Sequence, residues 1–304
     1  MFSVSVLASG SSGNAVYVRA GRTSLLFDAG ISRRELFSRL EGIGVKPERI
    51  DGAFLSHEHV DHSRSIGVVQ RSLGIPVYAT PGTLAAAYHY LDEDGEAAII
   101  SGKGDTPEPL AIGDAIVTPV RVPHDAAEPL CFTVEHRGKR LGIFTDLGSP
   151  TPAVRGALSG LDCAVLEANH SIDMLWNGPY PLYLKQRIAS PSGHLANEQA
   201  ASLLMENAPE RLSAVLLAHR SLHNNTAERA SEMLCHARSV LEKERGGRSG
   251  KFALLHTSRY SSTGLVPIGK RLSAEEAEKL AADTSAERAP PKKKSSSTLG
   301  RYLP

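Results

Sequence analysis

Four potential metal ligands lie within the short segment His57-Glu58-His59-Val60-Asp61-His62. The apolar run before it, 52–55, is typical of a buried strand. In an extended segment the side chains of His57 and His59 point to the same side, so both imidazoles can reach one ion. Asp61 and His62 come where the chain turns, and they can address a second ion nearby. The spacing predicts a site for two divalent metal ions and, with it, a metal-dependent hydrolase.

Three further polar residues stand just after apolar runs elsewhere in the chain. They are His124 after 115–122, Asp146 after 141–145 and His219 after 213–218. Taken singly, each is explained equally well as a turn or capping residue, but the repeated placement favours metal ligation for all three. Imidazoles combined with carboxylates suit zinc best, with manganese or iron as alternatives.

The elements that must position these residues are predicted from hydrophobic periodicity. The predicted strands are 3–8, 15–19, 23–28, 52–55, 76–79, 115–122, 131–135, 141–145, 163–167, 213–218 and 252–256. The predicted helices are 33–43, 64–73, 82–91, 197–207, 226–243 and 273–282. Because several strands precede each group of helices, the order favours two packed sheets over a doubly wound one. We expect an α/β chain folded as a four-layer αββα sandwich.

The chain of 304 residues is expected to form one hydrolase domain over 1–282 and a disordered basic tail over 283–304. The tail is rich in Pro and Ser and carries Lys292-Lys293-Lys294, so it has little apolar surface to bury. Its lysines either contact an anionic partner or are simply solvated.

Composition excludes several classes of protein. Hydrophobic residues make up 41% of the chain, and no apolar run reaches the roughly 18 residues of a membrane span, so we expect no membrane association. The first residues lack the basic and apolar blocks of a secretory leader, and the three widely spaced cysteines predict reduced thiols. Both point to the cytoplasm. A net charge of +1 means that any nucleic-acid binding must come from a local patch.

A second pair of residues indicates which bond is cut. Glu167 closes an apolar strand, and His194 precedes a helix for which Asn197 is the expected N-cap. A histidine beside metals that hydrogen-bonds a glutamate is held partly protonated near neutral pH and can protonate a departing alkoxide. Such an acid suits phosphodiesters. Alternatively, both residues only mark the ends of their elements, or His170 is the partner or a secondary substrate contact.

These residues resemble the signature of the metallo-β-lactamase fold superfamily, whose motif is matched by His57, His59, Asp61 and His62 and whose later ligand positions are matched by His124, Asp146 and His219. The resemblance implies one ion held by His57, His59 and His124, another held by Asp61, His62 and His219, and Asp146 bridging them. It also implies that hydroxide shared by the two ions is the nucleophile. Asp28 is either the superfamily's supporting carboxylate or a turn residue at a strand end.

The pair Glu167 and His194 resembles the phosphodiesterase branch of this superfamily, which includes tRNA-processing ribonuclease Z. The resemblance implies that His194 serves the leaving group as general acid and that Glu167 orients it, with Asp61 also counted among the catalytic residues.

A closer similarity, over most of residues 1–267, is to the WalJ/YycJ family of bacterial double-stranded DNA exonucleases. It is carried by the blocks 6–14, 56–62, 124–129, 166–170 and 217–221 with Asn224-Asn225. The last block departs from the family at Arg220 and His223. The resemblance implies a 5′–3′ DNA exonuclease.

Two stretches are candidates for substrate contacts. The loop 9–14 offers hydroxyls and backbone N–H groups that can hold a phosphate, or it is a plain turn between strands. The segment 174–187 interleaves aromatic residues with two bases and can stack on a base and pair with phosphates, or its aromatics pack under a loop. The candidate contacts are Ser11, Asn14, Trp176, Lys185, Arg187 and Asn225.

The sequence therefore predicts a metal-dependent phosphodiesterase that acts on nucleic acid, with DNA favoured over RNA. The alternative is a small-molecule hydrolase of the same fold, although the Glu167 and His194 pair favours a cyclic phosphodiester over a lactone or thioester, because an activated acyl carbon needs no strong acid. A third reading is a non-catalytic nucleic-acid-binding module with a structural metal. A structural site needs only four ligands, whereas seven candidates leave coordination positions for water.

Overall fold

Two mixed seven-stranded sheets pack face to face in the computed structural model, which describes residues 1–102, 104, 107–244, 251–284 and 287. The strands are β1 (Phe2–Ala8), β2 (Ala15–Ala20), β3 (Thr23–Phe27), β4 (Gly52–Phe54), β5 (Val77–Ala79), β6 (Ala97–Ile99), β7 (Leu110–Ile112), β8 (Ala115–Arg121), β9 (Leu130–His136), β10 (Lys139–Phe144), β11 (Cys163–Glu167), β12 (Ala214–Ala218), β13 (Ala253–His256) and β14 (Val266–Pro267). The first sheet has the order β14-β1-β2-β3-β4-β5-β6, and the second has the order β13-β12-β11-β10-β9-β8-β7.

Helices pack around the two sheets, most of them on the outer faces. They are α1 (Arg33–Gly42), α2 (Val60–Ser63), α3 (Ile66–Leu73), α4 (Pro81–Ala86), α5 (Pro152–Leu158), α6 (Ile172–Asn177), α7 (Leu182–Ile188), α8 (Asn197–Asn207), α9 (Ala227–Glu244) and α10 (Ala274–Leu280). Leu36 and Val69, from α1 and α3, pack in the outer core of the first sheet. Leu204 and Leu234, from α8 and α9, pack in the outer core of the second. The predicted four-layer αββα sandwich is confirmed.

The space between the sheets is filled by apolar side chains from both inner faces. Phe27 and Phe54 of the first sheet stack with ring centroids 5.0 Å apart. Phe132 of the second sheet meets the edge of the Phe54 ring at 5.4 Å. All three rings are at most 1% exposed. Aromatic pairs of this kind contribute about 0.5–1.5 kcal/mol beyond their area burial, and here they fix the two sheets against each other beneath the site.

Every predicted strand is present, but three short ones were missed. Strands β6, β7 and β14 have only two or three residues each, too few for an alternating pattern to be recognised. The predicted helix 82–91 is instead α4 followed by a separate 3₁₀ turn, Tyr88–Tyr90. The predicted helix 64–73 begins at Ile66 and is preceded by the short α2.

The helices α5, α6 and α7 were also missed because each has only six or seven residues. For α5, the Pro-rich start was the obstacle: Thr151 accepts the N–H of Val154 as N-cap, and Pro152 occupies the first turn, where its missing N–H costs nothing.

The predicted disordered tail, 283–304, lies outside the described residues except for Asp283, Thr284 and Glu287. Its lysine run, 292–294, is not among them. The cysteines Cys131, Cys163 and Cys235, which all lie in the described part of the chain, are free thiols, as predicted. Among the described helices, none has the length and apolar character to cross a membrane.

Candidate metal centre

The candidate ligands gather where strands of both sheets end. Strands β3 and β4 run parallel, as do β10, β11 and β12, so their carboxyl ends meet at one edge of each sheet. Asp28, Asp146 and His219 follow these ends with φ of 62°, 55° and 53°. Non-glycine residues rarely adopt this left-handed conformation, and where they do they cluster at functional sites. The strained turns aim these three side chains into the space between the loops.

One group of three imidazoles comes from two loops. The ring centroid of His57 lies 4.6 Å from that of His59 and 5.0 Å from that of His124. One ring nitrogen of each lies within 4.8 Å of the others, the spacing of ligands around a shared ion. The short α2 begins right after His59, so the turn predicted to separate the two ligand pairs is there.

A second group joins Asp61, His62 and His219. The Nε2 atoms of His62 and His219 each lie 3.6 Å from Asp61 Oδ2. Asp146 stands between the two groups: its Oδ2 is 2.9 Å from His62 Nε2, and its Oδ1 is 3.7 Å from His124 Nε2. Gly30 lets the loop after β3 pack closely against the backbone of Asp61, since a Cβ on Gly30 would lie 1.6 Å from the carbonyl oxygen of Asp61.

Most of the candidate ligand imidazoles are held through their Nδ1 atoms. His57 Nδ1 bonds the Ser56 hydroxyl at 2.9 Å, and His124 Nδ1 bonds the carbonyl of Gly193 at 3.1 Å. His62 Nδ1 lies 2.8 Å from Asp28 Oδ2. Asp28 also accepts the N–H and hydroxyl of Ser56. The arrangement matches the expected role of Asp28 as a supporting carboxylate, because partners of this kind fix which nitrogen is left for the metal.

Three of the other ring nitrogens lack hydrogen-bond partners among the described residues. The Nε2 atoms of His57, His124 and His219 are buried, and none makes a hydrogen bond within the described part of the chain. Leaving a buried polar atom unsatisfied costs about 1–3 kcal/mol, so three of them converging on one place need an explanation. Divalent metal ions supply it, and the donor set of imidazoles and carboxylates fits them.

Glu167 holds two histidines at once. Its Oε1 lies 2.9 Å from His194 Nδ1 and 3.0 Å from His219 Nδ1. Its Oε2 accepts the N–H groups of Leu147 and Leu195, at 2.7 and 3.3 Å. The carboxyl is completely buried. The pairing with His194 occurs as predicted, whereas the bond to His219 was not foreseen.

The buried charges shift the pKa values of the ligands in opposite directions. Burial lowers the pKa of His57 well below its ordinary value, and the nearby His62 adds to the effect against the opposing pull of Asp146. Burial also acts on His62, but Asp146 and Asp28 outweigh it and hold the pKa of His62 well above the ordinary value. His57 is therefore neutral, the form in which an imidazole can bind a metal, whereas His62 would have to lose a proton to do so.

Opposing effects of burial and charge also set the pKa values of Glu167 and His219. Burial raises the pKa of Glu167, but His194 and His219 outweigh it and bring that pKa to about 2. For His219, burial lowers the pKa, but Asp146, Asp61 and Glu167 together raise it to about 10. Glu167 is a carboxylate at any physiological pH, which is what a residue orienting two imidazoles requires.

Two of the predicted substrate contacts are buried and already engaged. The amide of Asn14 donates to Asp61 Oδ2 at 3.2 Å and lies 3.0 Å from His62 Nε2. Asn225 donates to the carbonyls of Ala168 and Asn169, at 2.8 and 3.0 Å. Asn14 thus lies against the ligands, and Asn225 ties the strand end after β11 to the loop before α9.

The other predicted contacts lie at the surface. Ser11 is exposed, and Trp176 on α6 is 45% exposed. Lys185 donates from Nζ to the carbonyl of Trp176 at 2.7 Å. Arg187 pairs with Asp125, with Nε and Oδ2 2.5 Å apart, directly beside the ligand His124. The predicted aromatic and basic segment therefore reaches the rim of the metal centre.

The predicted N-cap of α8 was wrong. The helix begins at Asn197, with Ala196 in the cap position, and Gln199 accepts the N–H of Ala196. The Asn197 amide bonds Asn225 instead.

Some supporting residues carried no signal in the sequence. Ser9 Oγ accepts the N–H of His219 at 2.7 Å, and Asn169 donates to the carbonyl of the same residue at 2.8 Å. Ser9 and Asn169 both lie in blocks of the resemblance, but nothing in their spacing indicates that they hold one ligand.

Comparison with known proteins first gives the class. Residues 23–217 match the family model described as the beta-lactamase superfamily domain. Solved structures agree on the fold: the metallo-beta-lactamase fold protein YhfI from Bacillus subtilis superposes with a TM-score of 0.64 at 18% identity, over 86% of this chain and 99% of that one. The short form of human tRNase Z superposes with a TM-score of 0.60 at 14% identity, over 88% of this chain and 100% of that one.

Two curated relatives identify the family within this superfamily. Exodeoxyribonuclease YycJ of Bacillus anthracis is 35% identical over 74% of this chain and 85% of its own length. Exodeoxyribonuclease WalJ of Streptococcus pneumoniae serotype 2 is 36% identical over 75% of this chain and 85% of its own length. The chain belongs to the YycJ/WalJ family within the beta-lactamase superfamily.

Proposed function

We propose that this protein is a metal-dependent exodeoxyribonuclease that hydrolyses phosphodiester bonds of DNA from the 5′ end. The observation that carries the proposal is the position of His194, whose Nδ1 is bonded to Glu167 at 2.9 Å and lies 3.6 Å from Asp146 Oδ1. A proton donor beside a metal centre serves an alkoxide leaving group. The names of the relatives support DNA as the substrate. The 5′ polarity rests on the family resemblance, and a cytoplasmic location stays a prediction.

Two groups of residues would hold the metal ions. One consists of His57, His59 and His124, and the other consists of Asp61, His62 and His219. Asp146 reaches both groups with its two oxygens and would bridge them. When bound, divalent ions activate water for attack and neutralise charge on the phosphate. Zinc suits this donor set best, with manganese and iron as alternatives.

His194 would donate the proton that the leaving oxygen needs. Because Glu167 accepts from Nδ1, Nε2 is the nitrogen left to face the substrate. The His194 side chain is 23% exposed, whereas that of Glu167 is fully buried, so substrate can reach the acid but not the residue that orients it. Water is thereby kept from the carboxylate, which strengthens its hold on the imidazole.

The surface beside His124 would bind the DNA strand. Arg187 and Lys185 on α7 supply positive charge, and the exposed rings of Trp176 and Tyr183 can stack on bases. Ser11, exposed at the tip of the loop after β1, would add a hydroxyl. A phosphate that binds Arg187 must compete with Asp125, which neutralises it in the free protein.

The test uses the full chain, stripped of metal and reloaded with zinc, manganese or iron. Single- and double-stranded DNA and RNA, labelled at either end, are incubated with each form. We expect metal-dependent release of nucleotides from DNA labelled at the 5′ end. His59→Ala, which removes a ligand, should abolish the reaction, whereas His89→Gln on the exposed 3₁₀ turn should not. Failure of every metal-loaded form to degrade any of these substrates would overturn the proposal.

A further inference from the structure

Two buried arginines lie beside the segment that carries the candidate ligand His219. Arg220 follows the candidate ligand His219 in the chain, and Arg259 donates from Nη2 to the carbonyl of Arg220 at 2.7 Å. Both side chains are 4% exposed. Burying two guanidinium groups side by side is unfavourable unless anions compensate them.

The anion present is the carboxylate of Glu287. Arg220 Nη2 lies 2.6 Å from Glu287 Oε2. Oε1 accepts the Ser258 hydroxyl and the N–H of Arg259, each at 2.9 Å. Burial raises the pKa of Glu287, but Arg220 and these hydrogen bonds outweigh it, so the group is a carboxylate. A guanidinium, a hydroxyl and a backbone N–H converging on two oxygens form an oxyanion-binding arrangement.

The arrangement opens into a cavity of about 210 Å³. The start of α9 lines it, where Thr226 accepts the N–H of Arg229 as a helix cap. The N-terminus of this 18-residue helix favours negative charge. Glu228 also lines the cavity, from an exposed position.

The guanidinium groups of these two cavity-lining residues have unused hydrogen-bonding capacity. Arg220 Nη1 and Arg259 Nε are buried, and neither makes a hydrogen bond with a described residue, although Arg259 Nε lies 3.7 Å from Glu287 Oε1. An ion pair serving stability alone would leave no buried donors unused, since each costs about 1–3 kcal/mol. The unused donors indicate that the site can take an anion with more oxygens than a carboxylate.

The site is joined to the metal centre through the loop after β1. A Cβ placed on Gly10 would lie 3.3 Å from Arg259 Nη2, so this loop packs against the guanidinium. Ser9 in the same loop accepts the N–H of His219 and donates its own N–H to Ser258. An anion bound by the two arginines can therefore change the position of the candidate metal ligand His219.

We infer that Arg220 and Arg259 form a phosphate-binding site for the nucleic-acid substrate, and that Glu287 occupies it in the free protein as a competing carboxylate of the chain itself. The inference rests on the proposed function for the identity of the substrate. Arginine binds phosphate through two parallel hydrogen bonds, and a phosphate brings more acceptor oxygens than Glu287 does. A phosphate at the strand terminus and one within the strand share this chemistry.

The first experiment measures the site without any catalysis. Full-length protein treated with a chelator is melted in inorganic phosphate and in chloride of equal ionic strength. We expect phosphate to raise the melting temperature of Glu287→Gln more than that of the wild type, because the competing charge is gone. Glu278→Gln, the same change on exposed α10, should respond like the wild type. Adding Arg220→Gln to Glu287→Gln should remove the gain.

The second experiment compares KM for duplex DNA with a 5′-phosphate and with a 5′-hydroxyl. We expect Glu287→Gln to lower KM about threefold or more, because a competing charge-assisted contact is removed. A decrease confined to phosphorylated ends assigns the site to the terminal phosphate, and a decrease for both substrates assigns it to a phosphate within the strand.

The phosphate site is refuted if phosphate raises the melting temperature of wild type and Glu287→Gln equally, or if the extra rise persists after Arg220→Gln is added. Either result refutes the site even if the enzyme degrades DNA. A structural ion pair would only lower the melting temperature of Glu287→Gln in both salts. Conversely, a protein that degrades no DNA under any metal overturns the proposed function, and the phosphate comparison still decides whether the anion site exists.

Discussion

Replacing His194 with Gln tests the chemistry of the site most directly. The glutamine amide can still donate to Glu167 Oε1, which His194 Nδ1 contacts at 2.9 Å, but it has no proton acidic enough for a leaving oxygen. Loss of a general acid lowers the rate by about 10²–10⁴-fold, which corresponds to roughly 3–5 kcal/mol of barrier. We expect kcat on duplex DNA to fall by that factor.

The metal content of His194→Gln should remain that of the wild type. The two groups formed by His57, His59 and His124 and by Asp61, His62 and His219 are complete without His194. Metal analysis of the purified variant checks this. Loss of metal would instead make His194 a ligand, since its Nδ1 atom lies only 3.6 Å from Asp146 Oδ1.

An activated substrate separates the acid role from a general disturbance of the site. A bis(p-nitrophenyl) phosphodiester releases a leaving group stable enough to depart without a proton. We expect His194→Gln to hydrolyse it within about tenfold of the wild-type rate, because only the proton transfer is missing. His89→Gln is the matched control. Equal losses on DNA and on the activated ester would refute the acid role, as would full activity on DNA.

Three further predictions follow from the structure. Asp28→Asn should weaken metal binding about 10–100-fold by loosening His62, as measured by competition with a chromophoric chelator, and unchanged affinity would contradict this. Burial lowers the pKa of His170 from 6.5 to about 4, so the unfolded chain takes up this proton first and metal-free protein should lose up to about 3 kcal/mol of stability as pH falls from 6.5 to 4. Urea unfolding of His170→Asn should lack this part of the pH dependence. Burial raises the pKa of Cys163 to about 12, so iodoacetamide should modify this thiol only after denaturation, and labelling of the native protein would contradict its burial.

The candidate metal ligands could be picked out of the sequence because their signals are local. His57, His59, Asp61 and His62 stand together in the sequence, and each remaining ligand follows an apolar run that proved to be a strand. The arrangement of the strands themselves is not local. Parallel pairing of β11 with β12 places Glu167 opposite Ala218, and only this register brings Glu167 to His219, 52 residues away.

Burial was the other quantity that the sequence did not provide. Asn14 and Asn225 are polar residues in loops, which usually face solvent, yet they are 3% and 6% exposed because they satisfy backbone and ligand atoms. Glu287 falls in a stretch of low apolar content, and Arg220, which it contacts, is 67 residues away in the sequence. Composition says nothing about one anchored side chain.

The division of the ligands between the two sheets has a consequence for assembly. His57, His59, Asp61 and His62 follow β4 of the first sheet, and His124, Asp146 and His219 belong to the second. Strands β1–β6 end at residue 99, and β7 begins at residue 110. If the backbone were cut between residues 102 and 107, the two fragments would share one metal centre across their interface. Their association would then depend on the free metal concentration as well as on the concentrations of the two fragments.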